Sequence, residues 1–140
     1  MKKILILNGP NLNLLGEREP EIYGDVSFEA YLESLIAEFP DIQLDYYQSN
    51  HEGYLIDKLQ EANHQYDGVV MNPGAYAHTS IALADCIRAI SIPVIEVHIS
   101  DISKRESYRH HSFTAEACKH CIMGQGMKGY DLAVRELLGI

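Results

Sequence analysis

Along this chain, apolar runs of strand length alternate with segments whose apolar residues recur at helical spacing. KILILN, residues 3–8, is the first strand-like run. Ser27 can then cap a helix, because Phe28, Tyr31, Leu32, Leu35, Ile36 and Phe39 fall at i, i+3, i+4, i+7, i+8 and i+11 and make one apolar stripe. Pro40 ends it. In IQLDYYQS, Ile42, Leu44 and Tyr46 alternate as a strand with two unlike faces does, and Leu55, Ile56, Leu59 and Ala62 mark a second helix. GVVMN, residues 68–72, reads as a third strand and residues 79–90 as a third helix. PVIEVH at 93–98 and CIMG at 121–124 supply two more strands, and GYDLAVRELL at 129–138 is a closing helix.

Strands that alternate with helices pair in parallel through right-handed crossovers, with helices on both faces. The expected fold is therefore α/β, a flavodoxin-like doubly wound five-stranded parallel sheet, with residues 1–140 as one domain. Ligands of such sheets bind beyond the carboxyl ends of the strands. At those ends the sequence places Asn8, Asn11, Asn13, Arg18 and Tyr23 after the first strand, and Asn72, Tyr76 and His78 after the third. Glu96, His98 and Ser100 follow on the fourth, and then Lys104, Arg105 and Arg109. Asp85 sits apart, on the third helix.

Composition narrows what that cluster does. Eleven basic against twenty acidic residues give a formal charge of −9, which opposes a nucleic acid or an anionic membrane as partner. The apolar stretch near the N-terminus is too short for a signal peptide or a membrane span, so a cytoplasmic protein is expected. Three cysteines, an odd number, fit a reducing compartment. His110-His111 and the Cys118-Lys119-His120-Cys121 stretch raise a metal or redox reading, but no second CxxC is present and this one precedes a late strand. No metal and no cofactor are expected. A phosphate-binding loop after the first strand would need hydroxyls or a lysine, which NGPNLNLLG lacks, and no GxSxG elbow occurs.

What remains is Tyr, Arg, Asn and His, a set suited to proton transfer on a small polar molecule. Tyrosine, with a pKa of about 10, is a poor base near neutrality. A guanidinium beside it favours the phenolate. Arg18 and Tyr23 lie five residues apart in a loop at about residues 16–25, which could close over a ligand as a lid. Each residue also has a structural reading: Tyr23 as a surface aromatic, His98 as a buried strand histidine, Asn11 and Asn72 as turn formers, and Arg109 as part of a solvated face.

The motifs ILNGPNLNLLGEREPEIYG, QSNHEG, MNPGAYAHTSIALAD, EVHIS with KRESYRHHS, and GQGMKGYDLA, in that order, resemble those of the type II 3-dehydroquinate dehydratases from end to end. The resemblance implies a cofactor-free trans dehydration of 3-dehydroquinate to 3-dehydroshikimate through an enolate, in the shikimate pathway. It implies Tyr23 as base with Arg18 lowering its pKa, His98 as general acid oriented by Glu96, and Asn11 stabilising the enolate through a water. Asn72, His78 and Arg109, with Ile99 and Ser100, would hold the carboxylate and hydroxyls of the substrate. Asp85 would reach a neighbouring subunit's site in a dodecamer of four trimers. The cysteines lie outside this pattern. The competing expectation is a non-catalytic flavodoxin-like small-molecule binding protein.

Overall fold

The computed structural model describes residues 1–17, 20–23 and 25–140, the side chains of residues 22 and 23 excepted. Its sheet holds β1 (Lys3–Asn8), β2 (Gln43–Gln48), β3 (Gly68–Asn72), β4 (Val94–His98) and β5 (His120–Met123), all parallel, in the order β2-β1-β3-β4-β5. This is the flavodoxin-like order, in which the chain moves one way from β1 to β2 and then crosses back to β3. The gap between the carboxyl ends of β1 and β3 is thus the switch point.

Strand alternation divides the core in two. Ile4, Ile6, Val70, Ile95 and Val97 point to one layer, where they meet Phe28 and Leu35 of α2 (Phe28–Glu38) and Tyr130 and Val134 of α6 (Lys128–Leu138). Leu5, Leu7, Val69, Met71 and Val94 point to the other, against Leu55 and Leu59 of α3 (Glu52–Ala62) and Leu83 and Ile87 of α4 (Ile81–Ala89). Strands covered on both faces need unbroken apolar runs, which explains KILILN and GVVMN.

Serine caps set where helices begin. Ser27 accepts the Ala30 N–H at 3.2 Å and Ser80 the Leu83 N–H at 3.0 Å, so α4 starts two residues later than the periodicity suggests. Between β4 and β5, where the sequence pattern names no helix, short 3₁₀ turns at Ile102–Lys104 and Ser107–Arg109 lead into a single-turn helix, α5 (Phe113–Ala117), capped by Ser112. Five residues are too few to display a helical period. The loop between β1 and α2 carries the other short helix, α1 (Pro20–Tyr23). Among the described residues no helix is long and apolar enough to cross a membrane.

Two glycines let the β1 and β3 loops meet at the switch point. Gly9 donates its N–H to the Asn72 carbonyl at 2.8 Å, and a Cβ on Gly9 would lie 2.5 Å from the Pro73 carbonyl oxygen. Gly74 has φ +60° and faces the Pro10 carbonyl. Gly9→Ala must therefore push backbone from backbone. We expect a loss of about 1–3 kcal/mol of stability, read as a lowered urea midpoint with an unchanged slope.

Candidate active site

Beyond the carboxyl ends of β1, β3 and β4 lies a cavity of about 100 Å³, well below the ~300–1,000 Å³ of sites for drug-sized ligands. It suits a small molecule. Seven of the residues expected at the site line it: Asn11, Asn72, His78, His98, Ile99, Ser100 and Arg109. No lysine does so among the described residues.

The floor is a buried ion-pairing arrangement. Glu96 and His98 are two apart on β4 and so share a face, and Glu96 is 0% exposed. Its carboxylate accepts from His98 Nε2 at 2.6 Å, from Ser112 Oγ at 2.6 Å and from Thr114 Oγ1, with the Cys121 thiol at 4.0 Å as a weak fourth donor. A carboxylate without water needs such donors to remain an anion. Because Nε2 is committed to Glu96, Nδ1 is the ring nitrogen left for the cavity. An acid held this way can deliver a proton along one direction.

His78 stands beside His98 with ring centroids 6.3 Å apart. A carbonyl can only accept, so His78 Nδ1, 2.7 Å from the His111 carbonyl oxygen, carries the proton and Nε2 is an acceptor. Burial, chiefly, pulls the His78 pKa below its ordinary value, and the His98 and Arg109 charges act the same way against the pull of the His111 carbonyl. The shift favours the neutral form of His78, whereas Arg109 brings permanent charge.

On the opposite wall, Asn11 adopts φ +69°, a left-handed conformation that asparagine tolerates, and its N–H donates to Asn50 Oδ1 at 3.0 Å. Arg109 Nε donates to Glu106 at 2.8 Å, and Arg105 Nη1 donates to Ser100 Oγ at 3.2 Å. Under the wall, the Tyr130 hydroxyl donates to Asn8 Oδ1 at 2.9 Å and accepts from Asn72 Nδ2 at 3.0 Å. Asn72 Oδ1 in turn accepts the Gly74 N–H at 3.1 Å, so its amide both binds Tyr130 and shapes the turn.

The other expected residues fall elsewhere. Asp85 is exposed on α4, 3.7 Å from Arg88, and does not reach this chain's cavity. Arg18 lies outside the described residues, and so does the side chain of Tyr23. Residues that the sequence did not single out for the site are Ser112, Thr114 and Tyr130. Their roles depend on partners distant in the chain, and only the Ser112 position, before a short apolar turn, carried a local signal. The cysteines are all free thiols. Burial first and the Glu96 carboxylate second push the Cys121 thiol up to about 12, so no thiolate nucleophile stands here. Glu96, His98 and Cys121 nonetheless place three metal-ligating atoms within 4.8 Å of one another.

Comparison with known proteins assigns the family. The model for class II dehydroquinases matches residues 2–138. A 3-dehydroquinate dehydratase of Bacillus pumilus is 54% identical over 140 residues, 99% of this chain and 95% of that protein. One from an Exiguobacterium species is 53% identical over 137 residues, 97% of this chain and 94% of its own length. The crystal structure of a type II dehydroquinase from Butyrivibrio crossotus superposes with a TM-score of 0.93 at 50% identity, covering 98% of this chain and 97% of that one. With matches that run nearly the full length in both sequence and structure, and with the strand-end cavity in place, the chain belongs to the class II dehydroquinase family.

Proposed function

We propose that this protein is a 3-dehydroquinate dehydratase of the shikimate pathway, a hydro-lyase that removes water from 3-dehydroquinate in the trans sense to give 3-dehydroshikimate. The observation that carries the reading is the Glu96–His98 pair at 2.6 Å, opening on a small polar cavity in a chain whose relatives bear that name. Residues 1–140 act as one catalytic domain, with the loop at about 16–25 as its lid.

In this mechanism Tyr23, as phenolate beside Arg18, takes the proton next to the ketone. The enolate that forms needs donors already in place, which Asn11 supplies through a water. His98 then protonates the departing hydroxyl from Nδ1, and Glu96 stabilises the ring charge through Nε2. Arg109 pairs with the substrate carboxylate. Asn72, neutral His78, Ser100 and the Ile99 backbone hold the hydroxyls. The reaction in this reading uses neither a cofactor nor a Schiff base, and the described lining residues, which include no lysine, are in keeping with it.

The reading extends to an assembly of four trimers in which Asp85 completes a neighbour's site. Its support is position: Asp85 and the apolar Ile81, 60% exposed, share the outer surface of α4. The free thiols suit the cytoplasm.

Mixing purified protein with 3-dehydroquinate and following the ultraviolet absorbance of the conjugated enone tests the activity. Turnover should survive borohydride, and Tyr23→Phe should lower kcat by about 10²–10⁴ while binding persists. Absent turnover in folded, assembled protein would leave only a binding function. For the shared site, Asp85→Ala should raise KM more than it lowers kcat, and sedimentation should give the dodecamer mass; a fully active monomer would contradict it.

A further inference from the structure

Cys121 finds two candidate co-ligands on the neighbouring strand. In the β4–β5 pairing Glu96 stands opposite Cys121, and His98 is two residues along from Glu96, so the three side chains share one face of two adjacent strands. Glu96 Oε2 is 2.6 Å from His98 Nε2 and 4.0 Å from Cys121 Sγ, and all three ligand atoms lie within 4.8 Å. Bonds of about 2.0–2.3 Å to nitrogen, oxygen and sulfur in a tetrahedral site put ligand atoms roughly 3.3–3.6 Å apart. The present spacings bracket that range. Adjustments of about an ångström would therefore seat an ion.

The donors choose the ion. Thiol, imidazole and carboxylate together favour zinc or cadmium over magnesium or calcium, which prefer all-oxygen sites. Two of the three donors are the pair assigned above to proton delivery, so occupation has a definite consequence.

We propose that Glu96, His98 and Cys121 form an inhibitory site for a thiophilic divalent cation of the zinc type. The inhibitory part rests on the dehydratase reading. On binding, the Cys121 proton passes to solvent as the metal–sulfur bond forms; the metal takes the Nε2 lone pair as the Nε2 proton leaves to solvent from the imidazolium, or is exchanged for a proton on Nδ1 in the neutral ring. His98 is then fixed to the metal, Glu96 no longer holds it by a hydrogen bond, and the acid is out of service. Water fills the fourth position. A chelator reverses the process. Cys121 is half-buried on the edge strand β5, so its side chain is not wholly sealed from solvent.

The test is titration of chelator-stripped protein with Cd²⁺, following the thiolate-to-cadmium charge-transfer absorbance and, in parallel, 3-dehydroquinate turnover. The expected result is a band that saturates at one ion per chain as turnover is lost, with both effects reversed by EDTA. In Cys121→Ser the band should vanish and the Cd²⁺ needed for half-inhibition of that variant's own metal-free rate should rise at least about tenfold. Cys118→Ser should behave as the unmutated protein. A band that survives Cys121→Ser, or a saturated band with full turnover, would overturn the proposal. If the metal-free protein has no turnover, the dehydratase reading fails, while the band and its loss in Cys121→Ser still decide the metal site.

Discussion

A carboxylate with no access to water is the constraint around which the catalytic edge is organised. Glu96 lies fully buried on β4, between β3 and β5, where an unpartnered charge would be costly. Donors from three elements satisfy it: His98 from its own strand, Ser112 and Thr114 from the start of α5, and the Cys121 thiol from β5. Removing any one exposes the rest to the desolvation penalty, so the geometry of His98 is tied to the packing of α5 and the register of β5. Ser112 serves twice, since the oxygen that donates to Glu96 also accepts the N–H of Ala115 as the helix cap.

A second polar contact ties the opposite side of the cavity to the core. Tyr130, wholly buried on α6, links Asn8 at the end of β1 to Asn72 at the end of β3, the two strands that flank the switch point. The close approach of Gly9 to Pro73 brings the same loops together. The walls that carry Asn11 and Asn72 thus rest on rigid elements, as a site for a small polar ligand requires. The β4–β5 connection is built of short turns, and it supplies the cations Arg105 and Arg109.

How much of this was legible depended on whether the determining contacts are local. Strands β1 to β4 and the four long helices were readable, because buried faces impose periods of 2 and 3.6 on their own residues. The strand-end rule then gathered Asn11, Asn72, His78, His98 and Arg109 before any coordinates. Helix α5 was not readable, since one turn shows no period, and Ser112 and Thr114 therefore had no visible partner in Glu96. Tyr130 looked like an ordinary core aromatic of the closing helix; its bond to Asn8 spans 122 positions and follows from topology alone. Cys121 read as half of a broken motif because only the β4–β5 register sets it opposite Glu96. For Arg18 and Tyr23 the sequence motif remains the only guide.

The central claim is that Glu96 acts through His98 on the departure of hydroxide and not on the first proton abstraction. Comparing elimination with solvent exchange of the substrate's α-proton in Glu96→Gln tests it most directly, using deuterium oxide and the mass of recovered 3-dehydroquinate. The account predicts that elimination falls by about 10²–10⁴ while exchange continues near the unmutated rate. Equal losses in both, or elimination within twofold of the unmutated protein, would contradict it.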